Sequence, residues 1–211
     1  MKKEFSFYEF VAIIVPGALF LFSINTLISI NYPKYIIEYT KIGGSFIFIL
    51  LSYGAGHLIQ SFGNFFESIV WGILKKKPTD WIFNKNIFNR YLFDKRLNEK
   101  LQLQLKSKFG DSHSNFGQVT YIFLFEKGKT SRIDIFNGNY SLYRGLSVTF
   151  LLLLTVSYNL VTIKIILILL AAFFLSTIRM YRFANYYAKE LFLTFMIISE
   201  SINPHHTNPA H

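Results

Sequence analysis

The apolar residues of the chain fall into four long runs separated by polar segments. The first covers 21 residues from Phe10 to Ile30, and the second continues from Ile42 through Leu74. A helix rises about 1.5 Å per residue and a hydrocarbon core is about 30 Å thick, so the first run matches one crossing and the second exceeds it. Two shorter runs, Leu146 to Tyr158 and Ile165 to Ile178, predict a helical hairpin, with one long tilted or re-entrant element as the alternative.

The end of the second run and the residues that follow the last run carry apolar side chains at helical spacing. These residues are Phe62, Phe65, Phe66, Ile69, Val70, Ile73 and Leu74 in the second run, and Phe183, Tyr187, Leu191, Phe195 and Ile198 after the last. Residues at steps of three and four share one helix face, which needs a packing partner. We expect both helices to continue beyond the membrane and to pack against each other there.

The polar segment between the second and third runs is predicted to be mostly helical. Helical periodicity is clearest from Phe93 to Phe109, and Gly110 fits a C-terminal cap. Val119–Phe125 and Ser131–Phe136 flank a Lys-Gly-Lys turn and permit a β-hairpin. The aromatic residues that follow also fit a helix running into the third span, and we favour the helix.

The fold class is therefore an all-α membrane protein with four transmembrane helices and a cytoplasmic, mostly helical insertion between spans 2 and 3. Residues 1–74 hold the first two spans with a cytoplasmic extension, and residues 75–145 form a basic cytoplasmic segment. Residues 146–200 hold spans 3 and 4 with a helical extension. The polar, proline-containing residues 201–211 are expected to form a flexible tail.

The distribution of Lys and Arg predicts the orientation. With 52% hydrophobic residues and a mean hydropathy of +0.33, the chain is more apolar than ordinary soluble domains. The segments placed inside hold 19 of the 22 Lys and Arg residues, whereas the outside loops hold Lys34, Lys41 and Lys164. Cytoplasmic loops of membrane proteins carry this excess. We therefore expect a multi-pass protein of an inner (plasma) membrane with both termini in the cytoplasm.

A polar stripe runs along the second span. Its members Tyr53, His57, Gln60, Asn64 and Glu67 step by four, three, four and three, which places all five on one helix face. Polar groups over roughly 21 Å of helix would be costly against lipid and must face protein or water. In one interpretation, copies of this helix around an oligomer axis line a cation-tolerant pore. In the other, the stripe is a buried seam of hydrogen bonds between helices.

Proline and glycine add two expectations about the spans. Pro16 and Gly17 lie inside the first span, where the missing N–H favours a kink that other helices or polar side chains must satisfy. Gly54 and Gly56 lie beside His57 in the second span. Glycines in a span most often allow another helix to approach closely, although they also loosen the helix.

The basic segment has a local net charge of +8, from 14 Lys and Arg against six acidic residues. The candidate residues for binding a signal or lipid are Lys75, Lys76, Lys77, Arg90, Lys95 and Arg96. Such a surface, interleaved with aromatic residues, fits a nucleotide or nucleic acid. We favour anionic lipid headgroups, with the aromatic residues at the membrane interface or in a small core.

The sequence offers little for catalysis. It contains no cysteine, which excludes disulfides and thiolate chemistry. It also contains no activated nucleophile, no paired carboxylates at useful spacing within a span and no His-Glu-x-x-His motif. His205, His206 and His211 lie in the terminal tail, where clustered histidines are seldom a built metal site. We therefore expect no enzyme, no metal and no cofactor.

Two sets of short motifs resemble a known group of proteins. They are Phe7-Tyr8-Glu9-Phe10 with Val15-Pro16-Gly17-Ala18 on the first span, and Tyr53-Gly54-Ala55-Gly56-His57-Leu58-Ile59-Gln60 on the second. Together they resemble small membrane proteins of bacterial anti-phage defence systems, such as the channel-type effector of Hailong systems and the membrane sensor of Kiwa systems. The resemblance implies an oligomeric protein of the bacterial inner membrane that works with a separate cytoplasmic partner.

These features lead to two functional hypotheses. In the first, the chain is a homo-oligomeric, ion-conducting effector, with a tetramer as one arrangement, and a nucleotide, nucleic-acid or protein signal acts on its basic segment. In the second, it is a non-conducting membrane sensor or scaffold that docks a cytoplasmic partner, and the polar stripe is only a packing seam.

Overall fold

The structure, a computed structural model, describes residues 7–31, 45–86, 88–110, 115–158 and 160–202. All regular secondary structure in these ranges is helical. The α-helices are α1 (Phe7–Asn31), α2 (Ser45–Ile73), α3 (Lys95–Phe109), α4 (Phe116–Glu126), α5 (Ser131–Ser157) and α6 (Ile163–Ile202), and a 3-10 helix (Pro78–Ile82) precedes α3. The loop with Lys34 and Lys41 and the tail from residue 203 lie outside the described residues.

Four of the helices, α1, α2, α5 and α6, are long and apolar enough to cross a membrane. The predicted all-α membrane class with four spans is therefore confirmed. Helix α5 begins well before its apolar run, and α6 continues well past its own, as the periodicity of the flanking residues predicts. The helical interpretation of residues 119–136 is also confirmed, because α4 and the start of α5 occupy the place of the alternative β-hairpin.

The predicted helix in the polar segment is confirmed together with its C-terminal cap, and the structure adds an N-terminal cap. The side chain of Asp94 accepts a hydrogen bond from the Leu97 N–H at 3.1 Å, which fixes the start of α3. Gly110 ends the helix with a φ of 84°, and its N–H donates to Lys106 O at 2.8 Å. This left-handed conformation is accessible to glycine without steric cost, which is why the helix stops there.

The chain forms two compact units, residues 1–70 with 138–183 and residues 71–137 with 184–211. In the first unit the closest helix packing occurs at small residues, including Ala12, Gly17, Ser52, Gly56 and Gly145. In the second, large side chains such as Trp81, Leu101, Leu105, Phe192 and Phe195 are fully buried. Small residues at helix contacts are typical of membrane bundles, whereas a large apolar core is typical of water-soluble domains.

The two apolar extensions predicted for α2 and α6 have different outcomes. On α6, Leu191 and Phe195 are fully buried, as expected. On α2, Phe62, Phe65, Ile69 and Ile73 are between 47% and 70% exposed, so these four side chains pack little against the described residues. Phe66 of the same extension is half-buried, and its ring centroid lies 5.9 Å from that of Phe173 on α6. Helical spacing identifies a common face but does not say whether protein or lipid covers it.

Candidate functional site

The polar stripe of α2 is partly buried against neighbouring helices and partly exposed. Glu67 is buried, Tyr53 and Gln60 are half-buried, and His57 and Asn64 are exposed. At about 100° per residue, Glu67 and His57 mark the two edges of the stripe, about 80° apart. Because the boundary of packing runs between them, the five residues have different surroundings although they share one stripe.

The amide of Gln60 is the centre of an internal hydrogen-bond network. Its Nε2 donates to Ala12 O on α1 at 2.8 Å and to Ser141 O on α5 at 3.0 Å. Its Oε1 accepts from Nε and Nη2 of Arg144, at 3.3 and 2.8 Å. A glutamine amide has two donor hydrogens and two acceptor lone pairs, so all four are used. Gln60 therefore joins α1, α2 and α5 through one side chain.

The carbonyl of Ala12 explains why α1 needs this amide. In an α-helix the Ala12 oxygen accepts from the N–H four residues later, and residue 16 is a proline without an N–H. Gln60 supplies the missing donor at 2.8 Å. The expectation that a polar side chain satisfies the backbone at Pro16 therefore has a specific partner, which sequence spacing alone does not reveal.

Arg144 on α5 links the amide to the carboxylate of Glu67. Its Nη1 donates to Glu67 Oε2, and the side chains of Arg144 and Glu67 are only 15% and 10% exposed. The guanidinium carbon also lies 5.7 Å from the ring centroid of Tyr140. Burying either charge alone would cost several kcal/mol, so the pair and its hydrogen bonds must form together. The network thus couples the register of α2 to that of α5.

Close backbone packing surrounds the network. A Cβ added to Gly17 would lie 2.7 Å from Gly56 N, and one added to Gly56 would lie 2.9 Å from Ile13 Cγ2. A Cβ on Gly145 would lie 2.8 Å from Cγ of Pro16 and 2.9 Å from Nε2 of Gln60. Gly54, in contrast, has open space around it. Close approach of a neighbouring helix thus explains Gly56 and not Gly54.

The exposed side of α2 carries a line of one glycine and four polar residues, which we call the outward row: Gly54, His57, Ser61, Asn64 and Ser68. They step by three, four, three and four, so they follow one line along the helix. The hydroxyls of Ser61 and Ser68 donate to the carbonyls of His57 and Asn64, each at 3.0 Å. The His57 ring is held edge-on against Tyr53 with centroids 4.5 Å apart.

A row of large apolar side chains runs directly beside the outward row. Its members Leu58, Phe62, Phe65 and Ile69 are between 47% and 70% exposed. At about 100° per residue this apolar row lies next to the outward row on the side away from the packed face. The exposed surface of α2 is therefore divided lengthwise into a polar and an apolar half.

The exposed face of α6 in the same unit differs from that of α2. Between Ile165 and Ile178 its large exposed residues are all apolar and comprise Ile165, Leu167, Ile168, Leu170, Phe174, Leu175 and Ile178. Such a surface suits hydrocarbon without any further partner. A lipid bilayer can therefore cover this stretch of α6 as it stands, but it cannot cover the outward row of α2 at the same low cost.

The candidate signal- or lipid-binding residues are all exposed in the second unit, and they fall into two groups. Lys75, Lys76 and Lys77 follow the end of α2, whereas Arg90, Lys95 and Arg96 surround the start of α3. Within the described ranges, no three His, Asp and Glu residues cluster in a way that would hold a metal ion.

Sequence reasoning missed Arg144 as a functional residue and Ser61 and Ser68 as members of a polar surface. The signals were present: a freed carbonyl at Ala12 demands a donor, and the two serines continue the spacing of His57 and Asn64. No protein-family model, no curated protein and no solved structure matches the chain. The functional argument therefore depends on the geometry of α2 and its neighbours.

Proposed function

We propose that the protein is a homo-oligomeric, ion-conducting membrane protein in which the outward row of α2 lines a water-filled path. The observation that carries this proposal is the exposure of His57 and Asn64 on a helix that is long and apolar enough to span the bilayer. Intramembrane polar side chains face protein or water because hydrocarbon offers them no hydrogen bonds. The described residues of one chain leave this row uncovered, and in this proposal further copies of the chain enclose it.

The apolar row beside the outward row supports the same arrangement. When several copies surround one axis, the polar half of each α2 surface faces the axis and the apolar half meets a neighbouring copy or lipid. Rings of polar side chains in such a path replace part of the hydration shell of a passing ion. The imidazole of His57 and the amide of Asn64 provide two such rings, about two helical turns apart.

The internal network gives the assembly a fixed frame. Gln60, Arg144 and Glu67 hold α1, α2 and α5 together within one chain. The outward row therefore projects from a helix whose rotation is set by buried hydrogen bonds, which a selective path requires. In this proposal Gln60 and Glu67, although members of the polar stripe, hold the helices together and do not contact the ions.

The proposal places the second unit in the cytoplasm. Lys75, Lys76 and Lys77 directly follow one span, and Arg179 and Arg182 lie in α6, all of them exposed. Charges next to spans carry most weight in the positive-inside rule.

Because the chain has no native cysteine, the single variants Lys129→Cys and Lys164→Cys can be labelled specifically. A membrane-impermeant thiol reagent on intact cells should label the Lys164→Cys variant and leave the Lys129→Cys variant unlabelled. The reverse pattern contradicts this orientation.

Flux through liposomes tests conduction directly. We expect dye-reported cation flux from reconstituted wild-type protein, with or without a cytoplasmic extract supplying the activating signal, and at least a tenfold loss in His57→Leu/Asn64→Leu. Thr155→Val, which changes an exposed polar residue of α5, is the matched control and should retain flux. Tight vesicles under every condition contradict conduction.

A non-conducting scaffold is the second candidate, and the hydrogen bonds that Gln60 makes between helices favour it. This chain already uses one amide to bridge three helices, and the outward row could bridge two copies in the same way. In that case His57→Leu/Asn64→Leu would abolish the oligomer seen by cross-linking or native mass spectrometry. If conduction is correct, conservative changes such as Asn64→Gln should alter ion selectivity while the oligomer persists.

The resemblance of the two motifs to anti-phage membrane proteins supplies the proposed physiological role. An oligomeric channel opened by a nucleotide, nucleic-acid or protein signal would depolarise an infected bacterial cell and stop phage production. Arg90, Lys95 and Arg96 are exposed around α3 and are the proposed contacts for that signal. Phage plaque counts on cells with the native operon, compared with cells carrying His57→Leu/Asn64→Leu, test this role. Equal plaque numbers would contradict it.

A further inference from the structure

The turn that follows α2 presents three consecutive exposed lysines, Lys75, Lys76 and Lys77. The first two have left-handed backbone conformations, with φ values of 54° and 79°. Side chains with a Cβ rarely adopt this region because the Cβ crowds the following carbonyl oxygen. The chain thus holds two lysines in a conformation that glycine adopts at no steric cost.

Two tryptophans fix the backbone of this turn by hydrogen bonds. The Lys76 N–H donates to Trp71 O at 2.9 Å, and the indole N–H of Trp81 donates to Lys75 O at 3.2 Å. The Trp71 and Trp81 rings meet edge-to-face with centroids 6.4 Å apart, and both residues are buried. The backbone of the turn is therefore fixed while its three lysine side chains remain exposed.

The other helix ends in this unit show that lysine is not required by the geometry. Helix α3 ends on Gly110 with φ 84°, and the turn after α4 uses Gly128 with φ 66°. Glycine thus fills the left-handed positions at these two ends, as it does in most proteins. At the end of α2, two lysines occupy left-handed positions that glycine would occupy without strain. Backbone strain of this kind is concentrated at functional sites.

Several carboxylates of the same unit are engaged at other places. Asp94 caps α3, Asp134 accepts from Tyr121 Oη at 2.8 Å, Glu190 pairs with Arg132, and Glu200 pairs with Lys100. Asp80, the carboxylate nearest to the turn in sequence, is half-buried in the 3-10 helix. Asp80 interacts electrostatically with Lys76 and Lys77. The three ammonium groups and this carboxylate together leave a net positive surface, which suits an anion.

We propose that Lys75, Lys76 and Lys77 form a binding site for the headgroup phosphate of an anionic phospholipid. The site directly follows a membrane-length helix, where headgroups lie, and tryptophans are enriched at this depth of the bilayer. Juxtamembrane lysines attract anionic lipid. The inference depends on the membrane position of α2 and not on ion conduction, so it stands or falls separately from the proposed channel.

The two tryptophans provide a local probe, because Trp71 and Trp81 are the only ones in the chain. The full-length protein is placed in nanodiscs of neutral phosphatidylcholine, and brominated phosphatidylglycerol or brominated phosphatidylcholine is added as a short-range quencher, which acts on nearby indoles without touching them. We expect stronger quenching by the anionic lipid, corresponding to a preference of about fivefold per lysine, or about 1 kcal/mol each. Equal quenching by the two lipids would overturn the proposal.

Variants separate the charge from the fold. Lys75→Gly/Lys76→Gly removes two charges and relieves two strained positions, so it should fold at least as stably as wild type while losing most of the preference. Lys75→Arg/Lys76→Arg should keep the preference. Lys127→Gln/Lys129→Gln removes the same charge at the turn around Gly128 and should also keep it. Loss of the preference in this last variant would overturn the assignment of the site.

The source of the phosphate is tested in the same nanodiscs. Millimolar inorganic phosphate at constant ionic strength should leave the quenching by brominated phosphatidylglycerol unchanged, because the lipid is concentrated in the plane of the membrane. Displacement of the lipid by inorganic phosphate would overturn the headgroup assignment and indicate a site for a soluble phosphate compound.

Discussion

The two sides of α2 use similar polar residues in opposite ways. On the inward side, Gln60 and Glu67 are tied to α1 and α5 by hydrogen bonds and by the ion pair with Arg144. On the outward side, His57 and Asn64 are exposed on the same span, a few residues away. Polar residues in a span therefore indicate a need for partners, and only the packing shows whether the chain itself supplies them.

The largest expected effect comes from breaking the inward side at Arg144. Arg144→Leu leaves the buried Glu67 carboxylate without its counter-ion and removes both donors to Gln60 Oε1. We expect a loss of about 3 to 5 kcal/mol in the free energy of unfolding, measured by denaturant titration in mixed micelles. The double variant Arg144→Leu/Glu67→Leu should recover much of this loss.

Arg132→Leu is the control for that prediction. Arg132 pairs with Glu190 at 3.3 Å, but its side chain is 72% exposed. An exposed pair contributes about 0 to 1 kcal/mol, so this variant should unfold almost as wild type does. Similar losses for Arg144→Leu and Arg132→Leu would show that the inward network is not the main stabilising contact.

Adding a methyl group to the helix contact should have the next largest effect. Gly56→Ala forces a Cβ against the backbone of Ile13, and backbone atoms cannot rotate away. We expect a destabilisation of about 1 to 3 kcal/mol in the same unfolding assay. Gly54→Ala, two residues away in open space, should be neutral or stabilising by about 0.5 to 1 kcal/mol. A matching loss at Gly54 would contradict the distinction between the two sides.

A double-mutant cycle between α1 and α2 tests the role of Gln60. Gln60→Leu leaves Ala12 O and Ser141 O without this donor and should cost about 1 to 3 kcal/mol. Pro16→Ala gives α1 an N–H for Ala12 O, so Gln60→Leu should cost about 1 kcal/mol less in that background. Strictly additive unfolding free energies would show that Gln60 does not compensate for the proline.

The smallest effect on the fold is expected on the outward side. His57→Leu/Asn64→Leu should change the unfolding free energy of the detergent-solubilised monomer by no more than about 0.5 kcal/mol, as for other surface positions. The same variant should alter assembly or flux, as described above. A loss of monomer stability comparable to that of Gln60→Leu would place the outward row inside the fold of a single chain.

Much of the fold could be predicted because helices are encoded by local sequence patterns. Apolar run length indicated the four spans, and Gly110 marked the end of α3. The helical continuation of α5 and α6 followed from periodicity in the flanking residues. These features depend on residues within one or two turns of each other, where spacing and backbone preference act directly.

The candidate site could be predicted only in part, since it depends on contacts between distant residues. The spacing of Gln60 and Glu67 revealed a polar stripe, but Arg144 is 84 residues from Gln60 in the chain. The rotation of α2 against α1 and α5, which decides which stripe residues are buried, is set by tertiary packing at glycines. Phe62 and Phe65 were assigned to protein packing for the same reason, and among the described residues both are exposed.

The Glu67–Arg144 pair also has a consequence for the order of events during synthesis. The two residues are 77 positions apart, with α3 and α4 between them. A ribosome adding about 5 to 20 residues per second covers this distance in roughly 4 to 15 s. For that interval α2 has already been made while the helix that carries its counter-ion has not. The final rotation of α2 is therefore set late, after α5 reaches the membrane, and the chain cannot acquire its native bundle one span at a time.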